Sequence, residues 1–163
     1  MSTAYAPAFR RRECVRALIL TPEPALLLIH LVVPDRKLWI APGGGIDPGE
    51  SHQEALRREL DEEVGRGNFE IGPQVWVRRG RFRWAGQWFD EREHFYLIRS
   101  DRFEPDASRN PVAFERDAMA EMRWWPVAEL PAESKQFAPM RMGSLVADLI
   151  QGGAPSEPVE TGF

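Results

Sequence analysis

The sequence predicts an α/β sandwich: a central mixed β-sheet, one helix in the middle of the chain and a second near its end. Three observations carry that expectation. Apolar, partly β-branched runs at 15–20 and 25–33 read as strands buried on both faces. One strongly signalled helix follows the glycine loop at 43–45. Period-two alternation then fills 75–84, and a helical apolar stripe returns only at 139–150. With 163 residues, 43% apolar and 28% charged, the chain has the size and balance of one domain with a sizeable core.

In order, residues 1–12 read as a flexible leader, 13–151 as the single domain and 152–163 as a polar, Pro/Gly-rich tail without fixed structure. Arg10, Arg11 and Arg12 have two readings, a solvated strand entrance or a phosphate contact. Cys14 is the only cysteine, so an internal disulfide is excluded and a reducing, cytoplasmic setting is expected. Thr21-Pro22-Glu23-Pro24 separates the first two strands as a hairpin or meander. His30 reads as a core or interface residue, and Leu38–Ala41 as a short strand with Trp39 in the core. After the middle helix, Phe69–Ile71 and Val75–Trp84 read as strands separated by Gly72-Pro73, with a bulge at Gly80. Gln87–Asp90 and Glu93–Arg99 follow as another antiparallel pair. Met122–Trp125 is a last strand, Pro126–Leu130 a helical turn, and Pro139–Ile150 a helix with Met142, Leu145, Val146, Leu149 and Ile150 on one face.

The net charge of −4 argues against a sequence-independent nucleic-acid binder. No apolar run approaches 18 residues and no signal-peptide core opens the chain, so a soluble protein with no membrane association is expected. No protein partner is indicated, and a homodimer is compatible with the sequence.

Residues 43–65, GGGIDPGESHQEALRRELDEEVG, organise the rest. Asp47-Pro48-Gly49-Glu50 has the residues of a type II turn. Ser51 with Glu54 is a capping box, and Gly65 is a left-handed helix end. Leu56, Leu60 and Val64 form the buried stripe, while Glu59, Glu62 and Glu63 fall on a second face about 100° away. A solvated acidic face is the simplest account of three such glutamates. The glycine loop just ahead favours another, because carboxylates beside exposed carbonyls suit a hard divalent cation shared with phosphates.

The spacing Gly44, five residues, Glu50, seven residues, Arg58-Glu59-Leu60, one residue, Glu62-Glu63, one residue, Gly65 resembles the Nudix box of the Nudix hydrolases. Its seven glycine, arginine and glutamate identities, at ~7% each, would coincide by chance about once in a million such chains. Arg66 departs from the aliphatic residue usual at the next position. The segment 121–130, EMRWWPVAEL, is similar to the strand and turn that follow the family's variable loop. The resemblance implies the αβα Nudix sandwich and a metal-dependent pyrophosphohydrolase. Such an enzyme cleaves a nucleoside diphosphate linked to another moiety, X, by water attack at phosphorus. It implies Mg²⁺, with Mn²⁺ as a substitute, held by Glu59, Glu62, Glu63 and the Gly43 carbonyl. Glu50 and Arg58 match its supporting salt bridge, and Glu121 or Glu115 its general base.

Other candidates have plainer accounts beside the functional one. His52 falls near the carboxylates by helical angle, or is an exposed first-turn histidine. Trp76, Trp84 and Trp88 suit base stacking or core packing. Arg79, Arg81 and Arg83 suit phosphate clamping or an exposed sheet face. Two other function classes compete: a catalytically inactive Nudix-fold nucleotide-binding or regulatory module, and an isomerase of the isopentenyl diphosphate type. Intact glutamates oppose the first, and the place of Cys14, ahead of the expected first strand, opposes the second. Substrate choice is expected in the loops at 34–38, 80–92 and 100–120.

Overall fold

Strand β1 (Phe9–Leu20) is the seam of the molecule, because its two halves have different neighbours. In this computed structural model, which describes residues 7–33, 36–111 and 118–162, β1 pairs along its whole length with β6 (Gln87–Arg99) in parallel. On its other side, residues 14–16 pair with β4 (Gly43–Gly45), while β2 (Ala25–Val33) meets β1 only where Leu20 faces Leu26. β2 then diverges to pair with β3 (Arg36–Ile40) and β7 (Met119–Pro126). The sheet therefore forks. One arm holds β1, β6 and β5 (Gln74–Trp84), the other β2, β3 and β7, with β8 (Phe137–Ala138) beside β3. Among the described residues the sheet has nine strands, β9 (Val159–Glu160) being the last.

The apolar runs pack on both faces, as their continuous hydrophobicity predicts. Val15, Ala17, Ile19 and Leu27 meet helix α1 (His52–Val64) through Leu56, Leu60 and Val64. Leu18, Leu20, Leu26, Leu28, Trp76 and Phe95 meet helix α2 (Met142–Gly152) through Met142, Leu145, Val146 and Leu149. Each such leucine, fully buried, contributes about 1.5–3 kcal/mol. The result is the αβα sandwich expected from the order of elements.

Several local expectations change. Phe9 to Arg12, read as leader, are strand, because β6 supplies them a parallel partner. Residues 69–71 are not a strand; Phe69 is a core residue packed on Phe103. Gly80 keeps the regular register opposite Glu91, and the irregularity of β5 lies between Gln74 and Trp76. The stretches 87–90 and 93–99 are one continuous strand. Helix α2 begins at Met142, and its Ile150 faces outward at 40% exposure. In the tail, Val159–Glu160 pair with β5 and the Thr161 amide donates to the Val77 carbonyl at 3.0 Å. Cys14 is buried inside β1, and burial together with the Glu91 charge pushes its thiol pKa up. That makes it an inert strand residue. No helix among the described residues is long and apolar enough to cross a membrane.

Candidate active site

Helix α1 is fixed at both ends by the signals its sequence carries. Ser51 Oγ accepts from the Glu54 amide at 3.1 Å, and Gly65 closes the helix at φ 78°. With Leu56, Leu60 and Val64 locked in the core, the acidic face has one orientation. It turns Glu59 and Glu63 inward, where both are buried, and leaves Glu62 at the edge with its side chain 26% exposed.

The glycine loop is built against these carboxylates. Gly43 has φ 143°, and a Cβ there would run into the Val15 carbonyl of β1. Its amide donates to Glu63 Oε2 at 2.7 Å. A Cβ on Gly44 would stand 2.7 Å from the Glu59 carboxylate, so a side chain here would fill the space that this carboxylate faces. Arg58 joins loop to helix. Its Nε and Nη2 donate to both oxygens of Glu50 at 2.8 Å, Nη2 also to the Gly45 carbonyl and Nη1 to Glu59 Oε1, each at 3.0 Å. The pairing of Glu50 with Arg58 expected from the box is therefore present, in two-point form. Hydrogen bonding to Arg58 holds the Glu50 carboxyl at about 2. Glu59 goes the other way: burial pushes its pKa up, Arg58 offsets part of this, and the neighbouring Glu62 charge adds to the rise. A buried carboxylate that resists ionisation is a place where an added cation is stabilising.

Glu59, Glu63, Gly43 and Gly44 line one end of a cavity of about 300 Å³ in the fork of the sheet. The β1–β5–β6 arm lends it Arg12, Arg16, Arg78, Glu91 and Glu93. Arg16 is the hub of this group. Its Nε donates to Glu93 Oε1 at 2.9 Å and its Nη1 to the Gly43 carbonyl at 3.0 Å, with Nη2 3.7 Å from Glu91 Oε1. Arg78 Nη1 donates to Glu93 Oε2 at 2.8 Å. Burial opposes ionisation of Glu93, yet Arg16 and Arg78 outweigh it and hold its carboxyl below the usual carboxylate range. Glu91 is pushed up by burial and by the charge of Glu93. None of these four residues stands out in the sequence reading. The signal was alternation: Glu91 and Glu93 share a strand face with Phe95 and Leu97, which run straight into the core.

The remaining candidates separate. Glu121 is exposed on β7 opposite His30 and does not line the cavity. An irregularity between His30 and Leu31 puts Met119 opposite Leu31 and Glu121 opposite His30, so Glu121 is turned from the side that Leu31 and Met119 line. Glu115 lies outside the described residues. His52 is half-buried rather than exposed, its Nδ1 2.7 Å from the Tyr96 hydroxyl, and its ring 4.5 Å from that of His94. Trp76 is core, Trp88 is 37% exposed beside Phe9, and of the three tryptophans only Trp84 lines the cavity. Arg79, Arg81 and Arg83 lie exposed, while Arg12, from the N-terminal trio, reaches the cavity. Arg66, the departure from the box, spreads its guanidinium over Phe69 at 4.5 Å and Phe103 at 5.4 Å. A stacked guanidinium thereby covers apolar surface as the usual aliphatic residue would.

Comparison with known proteins supplies the family and the fold. A family profile described as NUDIX domain matches residues 10–147. An RNA pyrophosphohydrolase of Afipia carboxidovorans is 31% identical over 137 residues, covering 74% of this chain and 80% of that protein. One from Erythrobacter litoralis is 29% identical, covering 75% and 80%. Among solved structures, the NUDIX domain of Shewanella oneidensis NrtR, complexed with ADP ribose, superposes with TM-score 0.63. It covers 90% of this chain and 94% of that one at 21% identity, a likeness of fold.

Proposed function

This chain belongs to the Nudix hydrolase superfamily, and from that premise we propose that it is a divalent-cation-dependent pyrophosphohydrolase acting on a nucleoside diphosphate linked to a further group. One observation carries the proposal: Glu59 and Glu63 lie buried beside the glycine loop at one end of a nucleotide-sized cavity. Among the described residues, no three carboxylate, thiolate or imidazole side chains close around one point as a ready cage. The donor set still fits Mg²⁺, which takes few protein ligands and completes its shell with water and substrate oxygens. Glu59 and Glu63 would hold it, with Glu62 and the Gly43 carbonyl in the proposed set. That carbonyl already accepts from Arg16 and has a second lone pair. Bound there, the cation would neutralise charge on the diphosphate.

The chain's own residues do the positioning. Arg58 fixes Glu59 relative to the loop, the Gly43 amide fixes Glu63, and Arg16 fixes the loop carbonyl. Phosphoryl transfer depends mainly on such placement and on electrostatics. Glu121 and Glu115 stand as general-base candidates from the family resemblance, in which that base lies outside the box; Glu121 does not line the cavity. The substrates to test are ADP-ribose-like sugars, dinucleoside polyphosphates, nucleoside triphosphates and capped RNA ends, and relatives named RNA pyrophosphohydrolase support including the last. The test is a Mg²⁺-supported screen of these classes with products identified. Hydrolysis of at least one diphosphate linkage, lost with chelator, is expected. Metal-dependent binding without release of any phosphate product contradicts the proposal.

A further inference from the structure

The cavity has two chemically different ends. Further along the β5–β6 pair, past Glu93 and Glu91, its lining is aromatic: Phe82 and Trp84 from β5 and Phe89 from β6, none of which has a place in the hydrolytic machinery. Phe82 and Phe89 are cross-strand partners whose rings lie 5.4 Å apart at 18°, a nearly parallel pair. The Arg36 guanidinium, from the other arm of the fork, lies 4.7 Å above the Phe82 ring.

An aromatic pair with a planar cation beside it suits a flat ring. Rings stack on both phenyl and guanidinium faces. The cavity volume, about 300 Å³, is at the small end of ligand pockets, so it suits one nucleotide. We infer that Phe82, Phe89, Trp84 and Arg36 form the nucleobase subsite, holding the base of a nucleotide whose diphosphate reaches Glu59 and Glu63. This rests on the pyrophosphohydrolase reading for the orientation of the diphosphate. The ring subsite itself is tested without turnover.

The experiment compares two non-hydrolysable ligands by calorimetry in Mg²⁺: α,β-methylene ADP, which carries a base, and methylene diphosphonate, which does not. Wild-type protein is measured beside Phe82→Leu and Phe89→Leu, which keep apolar bulk but remove the ring, and Phe82→Tyr, which restores it. Urea midpoints confirm that each variant is folded. Stacking on one ring spans about 5- to 150-fold in affinity. Each leucine variant should lose α,β-methylene ADP affinity within that range, keep methylene diphosphonate affinity, and be rescued by tyrosine. Equal loss of both ligands, or no wild-type preference for the nucleotide, would overturn the subsite. So would equally tight, ring-dependent binding of an isoprenyl diphosphonate. Ring-dependent binding without hydrolysis of any substrate would instead sustain the subsite and reject the pyrophosphohydrolase reading.

Discussion

Arg58→Lys replaces a planar fork with a point donor at the side chain that joins the glycine loop to α1. The arginine makes four hydrogen bonds of 2.8–3.0 Å: two to Glu50, one to the Gly45 carbonyl and one to Glu59. A lysine ammonium reaches one or two of these acceptors from a flexible stem. Bonds to charged groups contribute about 1.5–3 kcal/mol each when well protected. Arg58 is 29% exposed and Glu50 retains its bond from the Asp47 amide, so solvent screens much of that. The stability loss should be about 1–2 kcal/mol. The rate should suffer more, because Glu59 loses the donor that orients it, and a displacement near 1 Å costs about a hundredfold. The assay is kcat/KM and urea unfolding on one preparation. Unchanged turnover with reduced stability would refute the positioning role and leave Arg58 as an ordinary ion pair.

Three further outcomes follow from the same geometry. Glu59→Gln should abolish turnover, and its stability relative to wild type should depend on pH in chelator. A carboxyl raised in the folded state contributes most below its unfolded pKa of about 4.3 and loses that contribution as pH rises. The wild type should therefore lose ground to Glu59→Gln between pH 4 and pH 8, and a constant difference would contradict the buried-carboxylate account. Glu50 has the opposite sign: held at about 2, it stabilises above about 4.3 and loses that effect as pH falls toward 2. Glu50→Gln should thus be weaker than wild type by about 1 kcal/mol at pH 7, with the gap closing in acid. Finally, Mg²⁺ at 100 times its Kd should stabilise the fold by about 2.7 kcal/mol per site. Gly44→Ala should reduce that shift, because the added Cβ crowds Glu59; an undiminished shift would move the cation elsewhere.

What was legible in the sequence was local. The capping box, the left-handed Gly65 and the Leu56–Leu60–Val64 stripe are settled within one helix, and the structure keeps them all. The fork was not legible, because parallel pairing of β1 with β6 joins residues about 80 apart and leaves no periodic mark. The continuity of β6 through residues 90–93 was not legible either. Glu91 and Glu93 are buried because Arg12, Arg16 and Arg78 neutralise them across strands. Glu121 illustrates the same limit, since a one-residue register shift decides which way it faces. The leader and tail were read from composition, whereas sheet edges recruit Phe9–Arg12 and Val159–Glu160.

The core of the proposed reaction is water attack at phosphorus, supported by a cation that the α1 carboxylates would hold. The most direct measurement is turnover in ¹⁸O-labelled water with Mg²⁺, reading label in each phosphate product by mass spectrometry, for wild type and Glu59→Gln side by side. The account predicts one labelled oxygen per cleavage at a phosphorus in the wild type and no labelled product from the variant. Phosphate products without label, or label released equally by Glu59→Gln, would contradict it.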